Sequence, residues 1–169
     1  AAIVAEICQR LDGLPLALEL AAAHLKFLSP QALLTRLERG LSKLGGGARD
    51  LPDRQQTLRS TIDWSYNLLD AQAKALLRRS TIFTGSWTLE SAEAICNVDG
   101  DLGDDLIDEL AALVDQSLLR RVNEEAEETR FGMLSTIRAY AHEQLVASGE
   151  EARLHQRHAD YLIGLAEEA

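Results

Sequence analysis

Cationic side chains are scarce in this sequence. Its 169 residues carry 17 Lys and Arg against 27 Asp and Glu, a formal net charge of −10. That balance argues against a general polyanion binder, because nucleic-acid affinity rests on Lys and Arg neutralising phosphates. Cysteine is scarce too. Cys8 and Cys96 stand far apart, with no CxxC pair and no zinc-ligand spacing. They read as small core residues of a reducing compartment. No membrane-spanning run occurs: Leu14 to Leu28 is apolar but is interrupted by Glu19, His24 and Lys26, and it is too short to cross a bilayer. No signal peptide is visible, so a cytoplasmic protein with no membrane contact is expected. Neither a start methionine nor a helix cap precedes the first apolar pattern, which leads us to expect a piece cut from something longer. The hydrophobic content of 46% is enough for a folded core, and the length fits one ordinary domain or two small ones.

Catalytic motifs are missing as well. Without a GxxxxGK[ST] loop the chain cannot cradle a triphosphate by itself. GxSxG and HExxH are also absent. His155 and His158 are three apart on an expected helix, but no third ligand accompanies them and they read as surface histidines. His24 and His142 are isolated and read as packing or surface residues. Asp104, Asp105, Asp108 and Glu109 read as a solvated acidic helix face rather than a cation site. Trp64, Phe83, Trp87, Tyr140 and Tyr161 read as core anchors. No catalytic residue, no metal site and no enzyme activity are expected of this chain.

What is present is mostly helical periodicity. Ile3, Val4, Ile7 and Leu11 recur at helix spacing. Asp12–Gly13 ends that helix, with Gly13 suited to a left-handed position. Pro15 fits the first turn of the next helix, where its missing N–H costs nothing. Leu16 to Leu28 is apolar nearly all round and predicts a buried central helix. Ser29–Pro30 predicts a cap and helix start, and Leu33, Leu34, Leu37, Leu41 and Leu44 mark a third helix. Gly45–Gly46–Gly47 followed by Asp50–Leu51–Pro52–Asp53 is the clearest boundary signal.

Beyond it, helices are predicted from about Gln55 to Leu68, from Asp70 to about Ile82, from Thr88 past Ile95, and from Asp101 to Gln116. Gly85–Ser86–Trp87 reads as a turn. The period then changes. Ser117 to Val122 and Thr129 to Leu134 read as paired strands around the polar turn Asn123 to Glu128. Three helices and a hairpin in this order make a winged helix. Ser135 is placed to cap a further helix with Ile137, Tyr140, Ala141 and Leu145 on its apolar face, and Gly149 ends it. A last helix carries Leu154, Tyr161, Leu162 and Leu165. The fold class is therefore mainly α. A helical bundle is followed by a winged helix and the start of a helical C-terminal extension, with boundaries at 1–50, 51–149 and 150–169.

Many winged helices place their third helix in the DNA major groove. Here no Lys or Arg occurs from Asp101 to Ser117, and Glu124, Glu125, Glu127 and Glu128 sit at the wing tip. Both surfaces would repel phosphates, so direct DNA binding by this chain is disfavoured. Arg78, Arg79, Arg120 and Arg121 read as solvated surface or intramolecular salt bridges.

Several segments together resemble one family. CQRLDGLPLALELAAAHL (Cys8–Leu25) resembles the GLPL segment of NB-ARC-type STAND nucleotide switches. LPDRQQTLRSTIDWSYNLLDAQAKALLRRSTIFTGSWTLESAEAIC (Leu51–Cys96) is similar to the winged-helix region of bacterial STAND ATPases, often found in multidomain LuxR- or SARP-type regulators. ALVDQSLL (Ala112–Leu119) and RFGMLSTIRAYAHEQL (Arg130–Leu145) fit the same pattern, and HQRHADYLIGLAEEA resembles the lead into TPR-like repeats. The resemblance implies the regulatory part of a nucleotide switch. ADP or ATP with Mg would be held only in the intact protein, by an upstream P-loop domain of the same chain. Gly13, Leu14, Pro15 and Leu16 would close over the base, with Pro15 beside adenine. Met133–Leu134–Ser135 stands where many such proteins carry an MHD motif. The histidine and aspartate are replaced, and Leu134 cannot donate a hydrogen bond to phosphate. Arg138 is the nearby arginine that could act instead. Protein partners would be met through C-terminal helical repeats. Two alternatives remain: a DNA-binding winged-helix transcription factor module, and a passive helical scaffold for protein partners.

Overall fold

The computed structural model describes residues 2–42, 53–103, 106–122 and 128–168. The chain divides into two compact units, Ala1–Leu68 and Leu69–Ala169. The Gly45–Pro52 boundary signal, Asp104–Asp105 and the wing tip at 123–127 lie outside the described residues.

The first unit holds α1 (Ala2–Arg10), α2 (Pro15–His24), α3 (Pro30–Ser42) and α4 (Asp53–Leu68). Among the described residues its core includes an apolar cluster of Ile7, Leu11, Ala17, Ala21, Leu33, Leu34 and Leu37, with Leu58 and Trp64 of α4 packed against it. Pro15 opens α2 and Pro30 opens α3, as expected for a residue whose fixed φ suits a first turn. Ser29 Oγ caps α3 by accepting from the Ala32 amide at 3.2 Å. The second helix is shorter than its apolar pattern suggests and only one face is buried, by Ala17, Leu20, Ala21, Ala23 and His24. Four helices cannot enclose every residue of one of them, so Glu19 and Ala22 face solvent. Helix α4 packs on α2 and α3 and falls in this first unit, whereas the sequence reading groups it with the winged helix from residue 51. Its apolar positions Leu58 and Trp64 complete the bundle core, and such an attachment has no local sequence signature.

The second unit holds α5 (Ala71–Arg79), a 3₁₀ turn at Ser80–Ile82, β1 (Trp87–Thr88), α6 (Leu89–Cys96), α7 (Ile107–Asp115), β2 (Arg120–Val122), β3 (Arg130–Gly132), α8 (Ser135–Ser148) and α9 (Glu151–Glu168). The strands form one antiparallel sheet in the order β1-β3-β2. Trp87 pairs with Phe131, and Arg121 lies opposite Phe131 on the other side. The fold is mainly helical with a small sheet, and it contains a winged helix. The sequence reading missed β1, taking Trp87 for part of a turn. A strand of this length carries no readable alternation; pairing with β3 alone defines it.

Two helix starts, those of α7 and α8, differ from expectation. The helix expected from Asp101 begins only at Ile107. Positive φ at Asp99 (57°), Gly100 (76°) and Gly103 (86°) breaks the chain there. Asn97 fixes that loop, accepting from the Leu102 amide at 2.9 Å and donating to the Gly103 carbonyl at 2.7 Å. At α8 the capping residue is Leu134, extended and with no side-chain bond, while Ser135 is the first helical residue. At α6, Thr88 and Ser91 form a reciprocal capping box. The apolar face of α8 buries Ile137, Tyr140, Ala141 and Leu145 as expected, and Gly149 ends the helix in a left-handed conformation. Helix α9 stays on this unit because Arg157 donates to the end carbonyls of α6, to Ala94 at 2.7 Å and Ile95 at 3.2 Å.

Candidate functional site

Gly13, Leu14, Pro15 and Leu16 form a tight turn between α1 and α2. Asp12 and Gly13 both have positive φ, at 53° and 62°. The Gly13 amide reaches back to the Cys8 carbonyl at 3.0 Å, and the Leu14 amide to the Leu11 carbonyl at 3.0 Å. The turn therefore satisfies the last carbonyls of α1. Gly13 and Pro15 are exposed and Leu14 and Leu16 are half-buried. A Cβ on Gly13 would meet nothing within 4 Å, so space in front of this turn is open. Pro15 presents an exposed ring at the mouth of a helix.

Met133, Leu134 and Ser135 lie in the other unit, between β3 and α8. Met133 is buried, Leu134 half-buried and Ser135 exposed. Arg138 is half-buried and its Nη1 donates to the Thr81 carbonyl at 2.9 Å. Burial holds its pKa below the usual arginine value. This arginine ties α8 to the 3₁₀ turn.

Helix α7 occupies the third-helix position of the winged helix. Leu110 and Leu113 are buried beneath it, and Ile107, Asp108, Ala111 and Asp115 are exposed. The outward face therefore mixes apolar and acidic residues and carries no cation. Arg120 and Arg121 are exposed on β2, an edge strand. A groove of about 700 Å³ runs between α6, α7 and the β2–β3 pair, with Ile107, Ala111 and Val114 along one wall and Phe131 at the sheet.

Arg78 and Arg79 are the salt-bridge case of their two expected readings. Arg79 is 3% exposed. It donates to both Asp101 oxygens at 2.6 and 2.7 Å, to the Cys96 carbonyl at 2.9 Å, and to Glu150. Arg78 reaches Glu150 at 2.7 Å. Burial disfavours the Arg79 charge, but the paired carboxylates outweigh it and hold its pKa above the usual value. The cluster is closed on itself and is structural. Sequence could not supply it, because Glu150 lies 71 residues from Arg79. His24, expected as a packing or surface residue, is buried and meets Ser65 Oγ at 3.2 Å. Burial, with Arg36 nearby, keeps its pKa below the usual histidine value. Among the described residues no group of His, Cys, Asp and Glu is placed to hold a metal ion, and no helix is long and apolar enough to cross a membrane.

Three antiparallel strands, the α5–α6–α7 order and the wing now stand together. Residues 69–146 match the winged helix-turn-helix domain family. The match to the winged helix begins at the first residue of the second unit, just before the α5 cap, and ends inside α8, so it does not reach α9. A protein of Mycobacterium tuberculosis described as a putative HTH-type transcriptional regulator is 44% identical over 168 residues, covering 98% of this chain and 19% of that protein. A Mycobacterium bovis protein with the same description matches equally. Another Mycobacterium tuberculosis protein, described as uncharacterized, is 37% identical over 163 residues, 96% of this chain and 41% of its own length. The chain thus spans 19% of the first of these relatives. Its likeness to them includes the helical first unit as well as the winged helix. No solved structure matches the chain.

Proposed function

We propose that this chain serves as the winged-helix part of a transcriptional regulator. The observation that carries the reading is the winged helix-turn-helix match over residues 69–146, supported by a 44% identical relative described as a regulator of that type. In this reading the module contacts DNA. Helix α7 offers phosphates no cation, so the contact falls to the exposed edge of β2, through Arg120 and Arg121. Two neutralised phosphates give a slope of log K against log salt of about −2. The test is titration of a labelled duplex with the chain at two salt concentrations. Binding that weakens with salt and is lost in Arg120→Ala/Arg121→Ala supports DNA contact. No binding at either salt refutes it.

The geometry of the Gly13–Leu16 turn favours a second reading. An exposed proline ring beside open space suits the face of a planar base. In this reading the chain is the regulatory part of a STAND nucleotide switch in the same kind of regulator. Pro15 would pack on the adenine of ADP or ATP held with Mg by an upstream P-loop domain. The nucleotide would favour one of two packings, which requires different contacts in each. Met133 is buried and Leu134 has no donor, so phosphate chemistry belongs to the P-loop domain. Pro15→Ala and a bulky Pro15 substitution in the intact protein should both weaken ADP binding. Unchanged ADP affinity in both refutes the switch and leaves a scaffold role.

A further inference from the structure

We propose that the groove between α6, α7 and the β2–β3 pair is a docking site for a basic amphipathic helix. Its floor is apolar. Ile107, Ala111 and Val114 follow one another along a single face of α7. Ile107 is 50% exposed, and with Ala111 and Val114 beside it the apolar surface is continuous rather than a single scattered residue. Leu89 continues the surface from α6 and Phe131 from β3. At about 700 Å³ the groove has room for two or three apolar side chains of a partner.

The rim decides the partner's charge. Glu90 and Glu93 stand on α6, Asp115 at the end of α7, and Glu128, paired with Arg130 at 3.3 Å, before β3; Arg121 is the cation among the described lining residues. All four carboxylates are exposed. Acidic peptides are repelled by these carboxylates, and a second copy of this chain brings its own net charge of −10. An apolar floor ringed by carboxylates fits a helix with apolar residues at i, i+4 and i+7 flanked by Lys and Arg. In a DNA-reading winged helix the outward face of this helix meets base edges and phosphates. Here that face carries Ile107 and Ala111 beside Asp108 and Asp115. The inference rests on the winged-helix fold and holds whether or not the edge of β2 meets DNA.

The test uses fluorescence anisotropy with a labelled helical peptide built from Leu, Ala and Lys, with Leu at i, i+4 and i+7. A matched peptide has Glu in place of Lys. Ala111→Gln fills the groove without changing charge, Glu90→Lys/Glu93→Lys reverses part of the rim, and Asp160→Lys on α9 controls for net charge. Circular dichroism melts confirm that each variant folds. The basic peptide is expected to bind. Affinity should fall about tenfold, or ~1.4 kcal/mol, in Ala111→Gln and in the rim variant, and stay unchanged in Asp160→Lys. The Glu peptide should not bind. Equal binding of the two peptides, unchanged binding in both groove variants, or an equal loss in Asp160→Lys overturns the proposal. So does displacement of the peptide by duplex DNA from wild type but not from Ala111→Gln, or self-association that Ala111→Gln abolishes.

Discussion

The Thr57 hydroxyl donates a 2.7 Å hydrogen bond to Oδ2 of Asp12. It joins α4 to the turn that presents Pro15. Asp12 adopts a positive φ of 53°, a conformation that aspartate tolerates better than most residues. Thr57→Val keeps the branched shape and removes the donor. Asp12 is exposed and can rehydrate, so the cost should be modest, about 1 kcal/mol. A urea unfolding series comparing the two proteins measures it. An unchanged midpoint would show that the bond does not hold the turn.

Gly132 on β3 sits close to its neighbour strand. A Cβ built there falls 2.9 Å from Cγ2 of Val122 on β2. Val122 is stiff about χ1 and cannot swing aside. Gly132→Ala should therefore push the hairpin apart at a cost of about 1–2 kcal/mol. Hydrogen exchange should quicken at the β2 and β3 amides while α1 to α4 keep their rates. Uniform loss of protection across the chain would contradict a local clash.

The helical part of this fold was legible because its signals are local. Pro15 and Pro30 mark starts, Gly149 marks an end, and the Ile137–Leu145 stripe marks a face. The failures came where distant residues decide. Strand β1 exists only because Phe131 pairs with Trp87. The delayed start of α7 depends on Asn97 bonding across to Leu102 and Gly103. The candidate turn at Gly13–Leu16 could be read from four adjacent residues. The α7 groove could not, because Leu89, Ala111 and Phe131 meet only after folding.

The two thiols should differ sharply in reactivity. Cys96 is buried, and burial pushes its thiol up to about 12. Cys8 on α1 is only half-buried. Thiolate is the reacting form, so a disulfide reagent near pH 8 should label one thiol per native chain. Denaturation should release the second. Cys8→Ser should remove the native signal altogether. Labelling of Cys96 before unfolding would mean that the α6 end opens easily.

Glu150 should make the second unit sensitive to acid. Burial opposes its ionisation, but hydrogen bonds from Arg79, Arg78 and Ser148 outweigh that and lower its carboxyl to about 2. The Arg79 hydrogen bond lowers Asp101 in the same direction. An unfolded glutamate titrates at about 4.3. The folded value is lower, so the stabilisation is complete above the unfolded value and is lost as pH falls from about 5 towards 2. Glu150→Gln leaves the buried Arg79 with Asp101 as its remaining carboxylate. The pair is not fully dry, since Glu150 is 24% exposed, so the cost at pH 7 should be about 2 kcal/mol rather than the full buried-pair penalty. At pH 2 the two proteins should converge. Thermal midpoints measured from pH 7 to pH 2 test this, and parallel curves for wild type and Glu150→Gln would show that the Arg79 cluster does not set the acid limb.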